Sequence, residues 1–341
     1  MAQLNILITG GAGYIGSHVA KQLLETTTHN ITILDNLSTG STKTLDTLKT
    51  MREFNFIELD LKEFAQVADV LNTNNFDTII HFAASIVVPE SVENPLKYYM
   101  NNTVNTTNLI KCGTDAKIKR FIFSSTAAVY GEPSEVPKDG IDENYLTLPI
   151  NPYGMSKLMS ERVIQDTALA NKEFKFVIFR YFNVAGADIN YTDDKLTPRI
   201  GQSFPNATHL IKIASECATG KREKMAIFGD DFNTLDGTGV RDYIHVDDLA
   251  SAHIKAIDYL LENDSDIFNA GYGRGYSVKE VIETMKKVTN TNFQVDNAAR
   301  RAGDPAALIS NNTKIKTKMH WSPNHNDLAL ICQSAFEWEN Y

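Results

Sequence analysis

Tyr153 and Lys157 stand four residues apart in the segment Asn151-Pro152-Tyr153-Gly154-Met155-Ser156-Lys157. On a helix, positions i and i+4 share a face, so a phenol and an ammonium are presented side by side. An ammonium beside a tyrosine favours the phenolate and lowers a pKa that is ordinarily about 10. Such a tyrosine can take a proton from an alcohol hydroxyl near neutral pH. The same spacing occurs on plain solvated helix faces, so it gains meaning only from its context.

The chain's start supplies part of that context. The run Leu4-Asn5-Ile6-Leu7-Ile8-Thr9 is short, apolar and rich in branched residues, as in a buried parallel strand. Gly10-Gly11-Ala12-Gly13-Tyr14-Ile15-Gly16 follows, and Tyr14 to Glu25 carry apolar side chains at helical spacing. In this order Gly10 permits the tight turn, Gly13 lets backbone approach a pyrophosphate, and Gly16 allows close helix–strand packing. The N–H groups and dipole of the helix start, at Tyr14 and Ile15, favour phosphate. The second strand, Ile31-Thr32-Ile33-Leu34, ends at Asp35, followed by Asn36. An acid about 20 residues beyond the glycines can accept hydrogen bonds from ribose hydroxyls and would repel a 2′-phosphate, which favours NAD over NADP. A plain glycine turn and an aspartate capping a bend are the structural alternatives for these two features.

These groups need a scaffold. Further strand-like runs recur at Phe54–Leu59, Thr78–Phe82, Phe121–Ser124 and Phe176–Arg180, with helix-like segments Phe64–Leu71, Pro95–Lys111 and Ser156–Ala170 among them. The alternation predicts βαβ units and a Rossmann-type, doubly wound parallel α/β sheet over residues 1–185. Beyond Asn183 the pattern changes. Ala187–Pro205 reads as a loop, Thr208–Thr219 as a helix, Met225–Phe228 as a strand, Gly229–Gly239 as a loop, and Val246–Leu261 as a helix. Ile267–Ala270 could return a strand to the first sheet, and Ser277 with Glu280 is a candidate capping box for the helix Val278–Val288. Residues 186–341 therefore read mainly as a smaller, interleaved α/β substrate-binding lobe.

The 341 residues can bury a large core, and the net charge of −9 argues against broad binding to nucleic acid or acidic membranes. The three scattered cysteines, Cys112, Cys217 and Cys332, suggest buried thiols in a reducing compartment, without a disulfide frame or a metal site. No signal peptide or membrane-spanning run is recognised, and the cytoplasm is the default expectation.

Across almost its full length the chain resembles the extended short-chain dehydrogenases/reductases and, among them, the UDP-glucose 4-epimerases. The resemblance rests on Thr9–Gly16, Asp35-Asn36-Leu37, His81-Phe82-Ala83-Ala84, Phe121–Gly131, Tyr153–Lys157, Arg180–Asn183, Gly237–Val246 and Arg301–Asp304. It implies tightly held NAD and interconversion of UDP-glucose and UDP-galactose through a 4-keto sugar. Tyr153 would take the 4-OH proton. Lys157 would hold the nicotinamide ribose and tune Tyr153, and Thr126 would hydrogen-bond the same sugar oxygen. By position, Asp60 and Leu61 would border the adenine, Phe82, Ala83, Ala84 and Asn101 would line the cofactor, and Tyr181 would approach the nicotinamide. Asn183, Arg241, Arg301 and Asp304 would hold UDP. Arginine suits a diphosphate because its planar donors bind oxygens in pairs. The resemblance also implies a homodimer through the helices around Pro95–Lys111 and Ser156–Ala170.

Three positions depart from the family pattern. Ile86 stands where a lysine is usual, and His209 where an asparagine is expected. Leu308 replaces the tyrosine that excludes an N-acetyl group at the sugar's C2 in narrow members, which implies room for UDP-GlcNAc as well. The nearest rival is a nucleotide-sugar 4,6-dehydratase, whose relatives carry Asp-Glu directly after the threonine. Ala127 and Ala128 occupy those places and cannot transfer protons. A uronic-acid epimerase or decarboxylase would need an arginine for the sugar carboxylate, and none is identifiable. A catalytically silent NAD-sensing regulator, a different class, would not need Tyr153 or Lys157.

Overall fold

The computed structural model describes residues 3–133, 135–204, 208–301 and 304–340. Its main sheet is built from β1 (Asn5–Thr9), β2 (Asn30–Asp35), β3 (Asn55–Glu58), β4 (Thr78–His81), β5 (Arg120–Ser124), β6 (Lys175–Tyr181) and the strand Asp266–Ala270. The spatial order is Asp266–Ala270, β6, β5, β4, β1, β2, β3. β1 pairs in parallel with both β2 and β4, setting Thr9 opposite Leu34 on one side and His81 on the other. Chain order reverses there, and ligands of doubly wound sheets bind beyond the carboxyl ends of strands at such a switch point.

The sheet carries its strands because both faces are covered. Leu7, Leu34, Ile79, Phe121, Phe123 and Ile178 pack with Leu109 and Ile164 in one apolar cluster. Full burial of each such side chain contributes roughly 1.5–3 kcal/mol, enough to fix the register that sets the strand ends.

The chain divides into two compact units, interleaved more deeply than a single cut at residue 185 implies. The first comprises residues 1–129, 147–180 and 250–268, and the second 130–146, 181–249 and 269–341. The strand expected at Ile267–Ala270 is present as Asp266–Ala270 and joins the main sheet.

Two helices of the first unit depart from the sequence expectation in ways that matter. The helix expected to begin at Ser156 begins at Pro152, with Asn151 as N-cap accepting the Gly154 N–H at 2.9 Å. Proline suits the first helical position because its missing N–H has no partner there anyway. Tyr153 therefore lies on the helix's first turn. The single helix expected over Pro95–Lys111 is instead α-helical at Pro95–Tyr98, π-helical at Tyr99–Val104 and α-helical again at Asn105–Asp115. π-turns inside α-helices recur at functional positions, and this one carries Asn101 and Asn102.

In the second unit, the strand Val240–His245 pairs with Asn183–Ala185 and Ala307–Leu308 in parallel and with Gly275–Ser277 antiparallel. The buried Asp242 accepts from the N–H groups of Tyr272 and Gly273 at 2.9 and 3.0 Å and from the Ser310 hydroxyl at 2.5 Å. The Ser277–Glu280 capping box is formed at the start of the helix Val278–Thr289. The segment expected as a plain loop contains a small hairpin, Tyr191–Thr192 with Lys195–Leu196, turned by Asp193 and Asp194 at φ 50° and 60°. Pro205 of that segment lies outside the described residues. Among the described residues no helix is long and apolar enough to cross a membrane.

Candidate active site

The dinucleotide elements meet at the switch point of the first unit. Gly10 adopts φ +74°, and a Cβ there would sit 2.6 Å from the Ala83 backbone nitrogen. The glycine turn and the segment after β4, where Phe82, Ala83 and Ala84 lie, therefore touch backbone to backbone. At Gly16 a Cβ would come within 2.3 Å of the Gly10 carbonyl oxygen, while at Gly13 it would meet only that oxygen, at 3.3 Å. Gly16 is thus needed for packing, and Gly13 mainly for access. Gly11, which the sequence did not single out, is also confined: a Cβ there would meet Ile33 Cγ2 at 2.8 Å. The helix Tyr14–Thr26 has Gly13 as N-cap and no side-chain cap, which leaves the peptide donors of its first turn, Ile15 included, to a ligand.

Asp35 is buried and accepts the Ala12 N–H on one carboxylate oxygen at 3.0 Å and the Leu37 N–H on the other at 2.8 Å. Burial pushes its pKa up, and the two backbone hydrogen bonds oppose that shift. A carboxylate offers about four acceptor positions, so two remain for ribose hydroxyls. Asn36 reaches Asp60 at 3.0 Å, tying the ends of β2 and β3 together next to Leu61. A glycine cradle with no room for side chains, peptide donors at a helix start and a buried acid at the end of β2 fit an NAD adenosine diphosphate. Asp35→Ala should weaken NAD binding about tenfold or more and raise NADP affinity relative to NAD. Calorimetric titration of both nucleotides into nucleotide-free protein checks this; an unchanged affinity ratio would remove Asp35 from the ribose site.

On the same unit, Thr126 follows β5 and Tyr153 opens the Pro152–Ala170 helix. The Thr126 oxygen accepts the Ala128 N–H at 3.1 Å, leaving its proton for another acceptor. Burial pushes the Tyr153 phenol up, and a hydrogen bond with Thr126 pulls it down. Lys157 is turned toward β5, donating to the Ser124 carbonyl at 2.8 Å with its ammonium 4.9 Å from the Phe123 ring centre. Burial lowers the Lys157 pKa to about 7.

Two side chains that the sequence left unassigned, Asn102 and Glu161, hold this arrangement. Asn102 is buried, donates to Ser156 Oγ at 3.0 Å and accepts the Ser85 N–H at 2.8 Å, joining the π-helical turn to the Tyr153 helix and the segment after β4. Asn101, assigned to the cofactor, donates to Ser85 Oγ at 3.1 Å. Glu161 lies one turn beyond Lys157, buried against Arg180. Its i+4 spacing from Lys157 was the available signal. Ile86, where a lysine was expected, is 45 % exposed.

The residues assigned to UDP fall in the second unit. Asn183 is opposite Tyr243 in the strand register, and both line a small pocket with Gln202, His209 and Trp338. His209 directly precedes the helix Leu210–Ala218, where the departure was expected. Its Nδ1 pairs with Gln202 Nε2 at 2.9 Å, and burial lowers its pKa. It therefore offers a neutral imidazole, not a cation. Arg241 is lowered by burial, with Asp304 raising and Arg301 lowering its pKa, so the three charges share one locality. Arg301 Nε donates to Asp304 at 2.8 Å. Ala302 and Gly303 between them lie outside the described residues. Leu308 is buried and stands opposite Arg241 in the register. Tyr181, the last residue of β6, is also buried.

A family model described as the NAD dependent epimerase/dehydratase family matches residues 6–271. A UDP-glucose 4-epimerase of Azospirillum brasilense is 44% identical over 339 residues, covering 99% of this chain and 92% of that protein. The solved structure of a UDP-Glc/GlcNAc 4-epimerase from Campylobacter jejuni is 56% identical, with TM-score 0.85 and 99% of each chain covered. A UDP-glucose 4-epimerase from Bifidobacterium longum, solved in complex with NAD⁺ and UDP, has TM-score 0.91 at 34% identity and 98% coverage of each chain.

Proposed function

The chain belongs to the NAD-dependent epimerase/dehydratase family, among the UDP-glucose 4-epimerases, and we propose that it inverts C4 of UDP-glucose and also of UDP-GlcNAc through a 4-keto sugar. The observation that carries this reading is a tyrosine hydrogen-bonded to Thr126 on the same unit as the glycine cradle, with alanines where a dehydratase needs an acid and a base. Bound NAD⁺ supplies a hydride acceptor that later returns the hydride, together with a positively charged ring. Tyr153 takes the 4-OH proton and gives it back. Thr126 donates to the phenolate oxygen and shares the sugar oxygen. Lys157, with Asp35 and the glycine turn, positions the nucleotide. Arg241 and Arg301 neutralise the substrate's diphosphate, Asn183 holds the uridine end, and Asp304 orients Arg301. The buried Ala127 and the neighbouring Ala128 sit in a short 3₁₀ turn directly after Thr126, so proton removal at C5 has no base there. Incubation with UDP-glucose, UDP-GlcNAc and UDP-xylose, followed by proton NMR, tests the reading. The 4-epimers of the first two are expected, and a 4-keto-6-deoxy product or no turnover would defeat it.

The active form on this reading is a homodimer. Val92, Leu96, Met100 and Met159 are 62, 73, 58 and 45 % exposed on adjoining helical segments of one unit. A cluster of large apolar side chains in water marks a covered surface, and a second copy of the chain is the partner that the family resemblance implies. Sedimentation equilibrium should give twice the chain mass, and Leu96→Glu with Met159→Glu should give the single mass. A monomeric wild type would contradict this. The cytoplasm is the compartment proposed: Cys112, Cys217 and Cys332 are all free, buried thiols, and cell fractionation would check it.

A further inference from the structure

Tyr153 is the second residue of the Pro152–Ala170 helix. Helical side chains lean toward the N-terminus and rest on the turn before their own. Tyr153 has no such turn, because the chain before it is extended at Asn151, with φ −144° and ψ 160°. Thr126 meets the phenol at its oxygen, so the ring needs a separate support. Tyr98 supplies it. This residue closes the short helix Pro95–Tyr98 and is fully buried. The two rings stand edge-on, with centroids 6.4 Å apart and planes at 84°, an arrangement that aromatic pairs prefer. The Tyr98 ring is in turn pinned at its far end. Its hydroxyl accepts the Val87 N–H at 2.9 Å, and its one proton has the Val87 carbonyl at 2.6 Å and Glu90 Oε2 at 2.8 Å as acceptors. Glu90 is itself held by Lys97. A ring that served packing alone would do so as phenylalanine, without a buried hydroxyl that has to be paired.

We propose that Tyr98 is a positioning residue for the reaction: pinned through its hydroxyl to Val87 and Glu90, its ring is the wall that holds the Tyr153 ring in line with Thr126 and the sugar hydroxyl. This rests on the epimerase reading above, in which Tyr153 moves the proton. Tyr98 is not itself an acid or a base, since its oxygen is committed to Val87 and Glu90. Burial, and after it Glu90, push that phenol up, so it stays protonated and the pin holds across the working pH range. The pin also sets where the wall stands. Val87 lies three residues beyond Ala84, and Ser85 between them is held by Asn101 and Asn102. Tyr98 therefore ties the Tyr153 ring to the segment assigned to the cofactor. The helices Val88–Glu93 and Pro95–Tyr98 both pack against the Tyr153 helix, which stiffens that tie. Proton and hydride leave neighbouring atoms of one C4–OH group, so their two acceptors have to be held at a fixed separation. A misplacement of about 1 Å is enough to cost on the order of a hundredfold.

The test compares the wild type with Tyr98→Phe and Tyr98→Leu, each loaded with NAD and carrying ¹³Cζ-labelled tyrosine. The Tyr153 signal is identified by its loss in Tyr153→Phe. Tyr98→Phe removes the pin and keeps the ring, and Tyr98→Leu removes the wall. The kcat per bound nucleotide should fall about tenfold in the first and about a hundredfold in the second. KM for UDP-glucose should stay within about twofold, because the loss falls on the transition state. The Tyr153 signal should pass from one sharp line to a broadened or split one in the same order. A residue that served the fold alone would lower the thermal midpoint and leave kcat per bound nucleotide unchanged. Should Tyr98→Leu fail to fold, Tyr98→Phe decides by itself. A folded Tyr98→Phe with wild-type kcat and a sharp Tyr153 line would overturn the proposal. So would a loss confined to KM or to nucleotide content, or the failure of both variants to fold. If the Tyr153 line broadens in the variants but the wild type turns over no UDP-sugar, the epimerase reading fails while the support of Tyr153 by Tyr98 stands.

Discussion

Tyr153→Phe is expected to keep its fold and its bound NAD while losing about 10²- to 10⁴-fold in turnover, the usual contribution of a positioned acid–base group. The substitution removes one oxygen. The ring stays edge-on to Tyr98, with centroids 6.4 Å apart, so packing changes little. What disappears is the acceptor for the sugar proton and the partner of the Thr126 hydroxyl. Because burial raises the phenol and Thr126 opposes the shift, Thr126→Val should move the turnover profile toward higher pH in the same assay. Nucleotide content by absorbance and the thermal midpoint confirm that the variant is intact. A Tyr153→Phe protein with near-normal turnover would remove Tyr153 from the mechanism.

Leu308→Tyr should separate the two substrates. Leu308 is 8 % exposed and lies on a two-residue strand opposite Arg241; if it gates the sugar's C2 as proposed, a larger ring there takes the room of the N-acetyl group. Overpacking costs about 1–3 kcal/mol, or roughly 5- to 150-fold on UDP-GlcNAc turnover, with UDP-glucose turnover little changed. The same assay run with both sugars reads the ratio. Equal losses on both would mean that Leu308 only packs, and an unaffected UDP-GlcNAc rate would place the C2 gate elsewhere.

The first unit was legible in the sequence because local signals there coincide with function. The glycine turn must follow a strand and precede a helix, and the residue pattern says so. The π-helical run at Tyr99–Val104 was not legible, since an inserted π-turn leaves the apolar spacing of a helix almost unchanged. The strand Val240–His245 was seen as a motif but not as a strand. Arg241, Asp242 and His245 break its apolar alternation, and the partners that satisfy Asp242 come from residues 272, 273 and 310, far along the chain. The helix Leu328–Glu339 gave no signal for the opposite reason: its run of Leu, Ala, Ile and Cys is too evenly apolar to show a period. At the site, the types and spacing of Tyr153 and Lys157 were enough to suggest proton transfer. The direction in which Lys157 points was not readable, because the Ser124 carbonyl that captures it belongs to a strand 33 residues earlier. The Glu161 clamp was hidden likewise, its donors lying 36 and 19 residues away.

The central claim is that C4 is oxidised and reduced on the same substrate by one bound nucleotide, with Tyr153 moving only the proton. UDP-glucose carrying deuterium at C4 tests it most directly, with the product examined by mass and NMR. Deuterium retained at C4 of UDP-galactose is the predicted result. Deuterium lost to water, or found at C6 of a deoxy sugar, would contradict it.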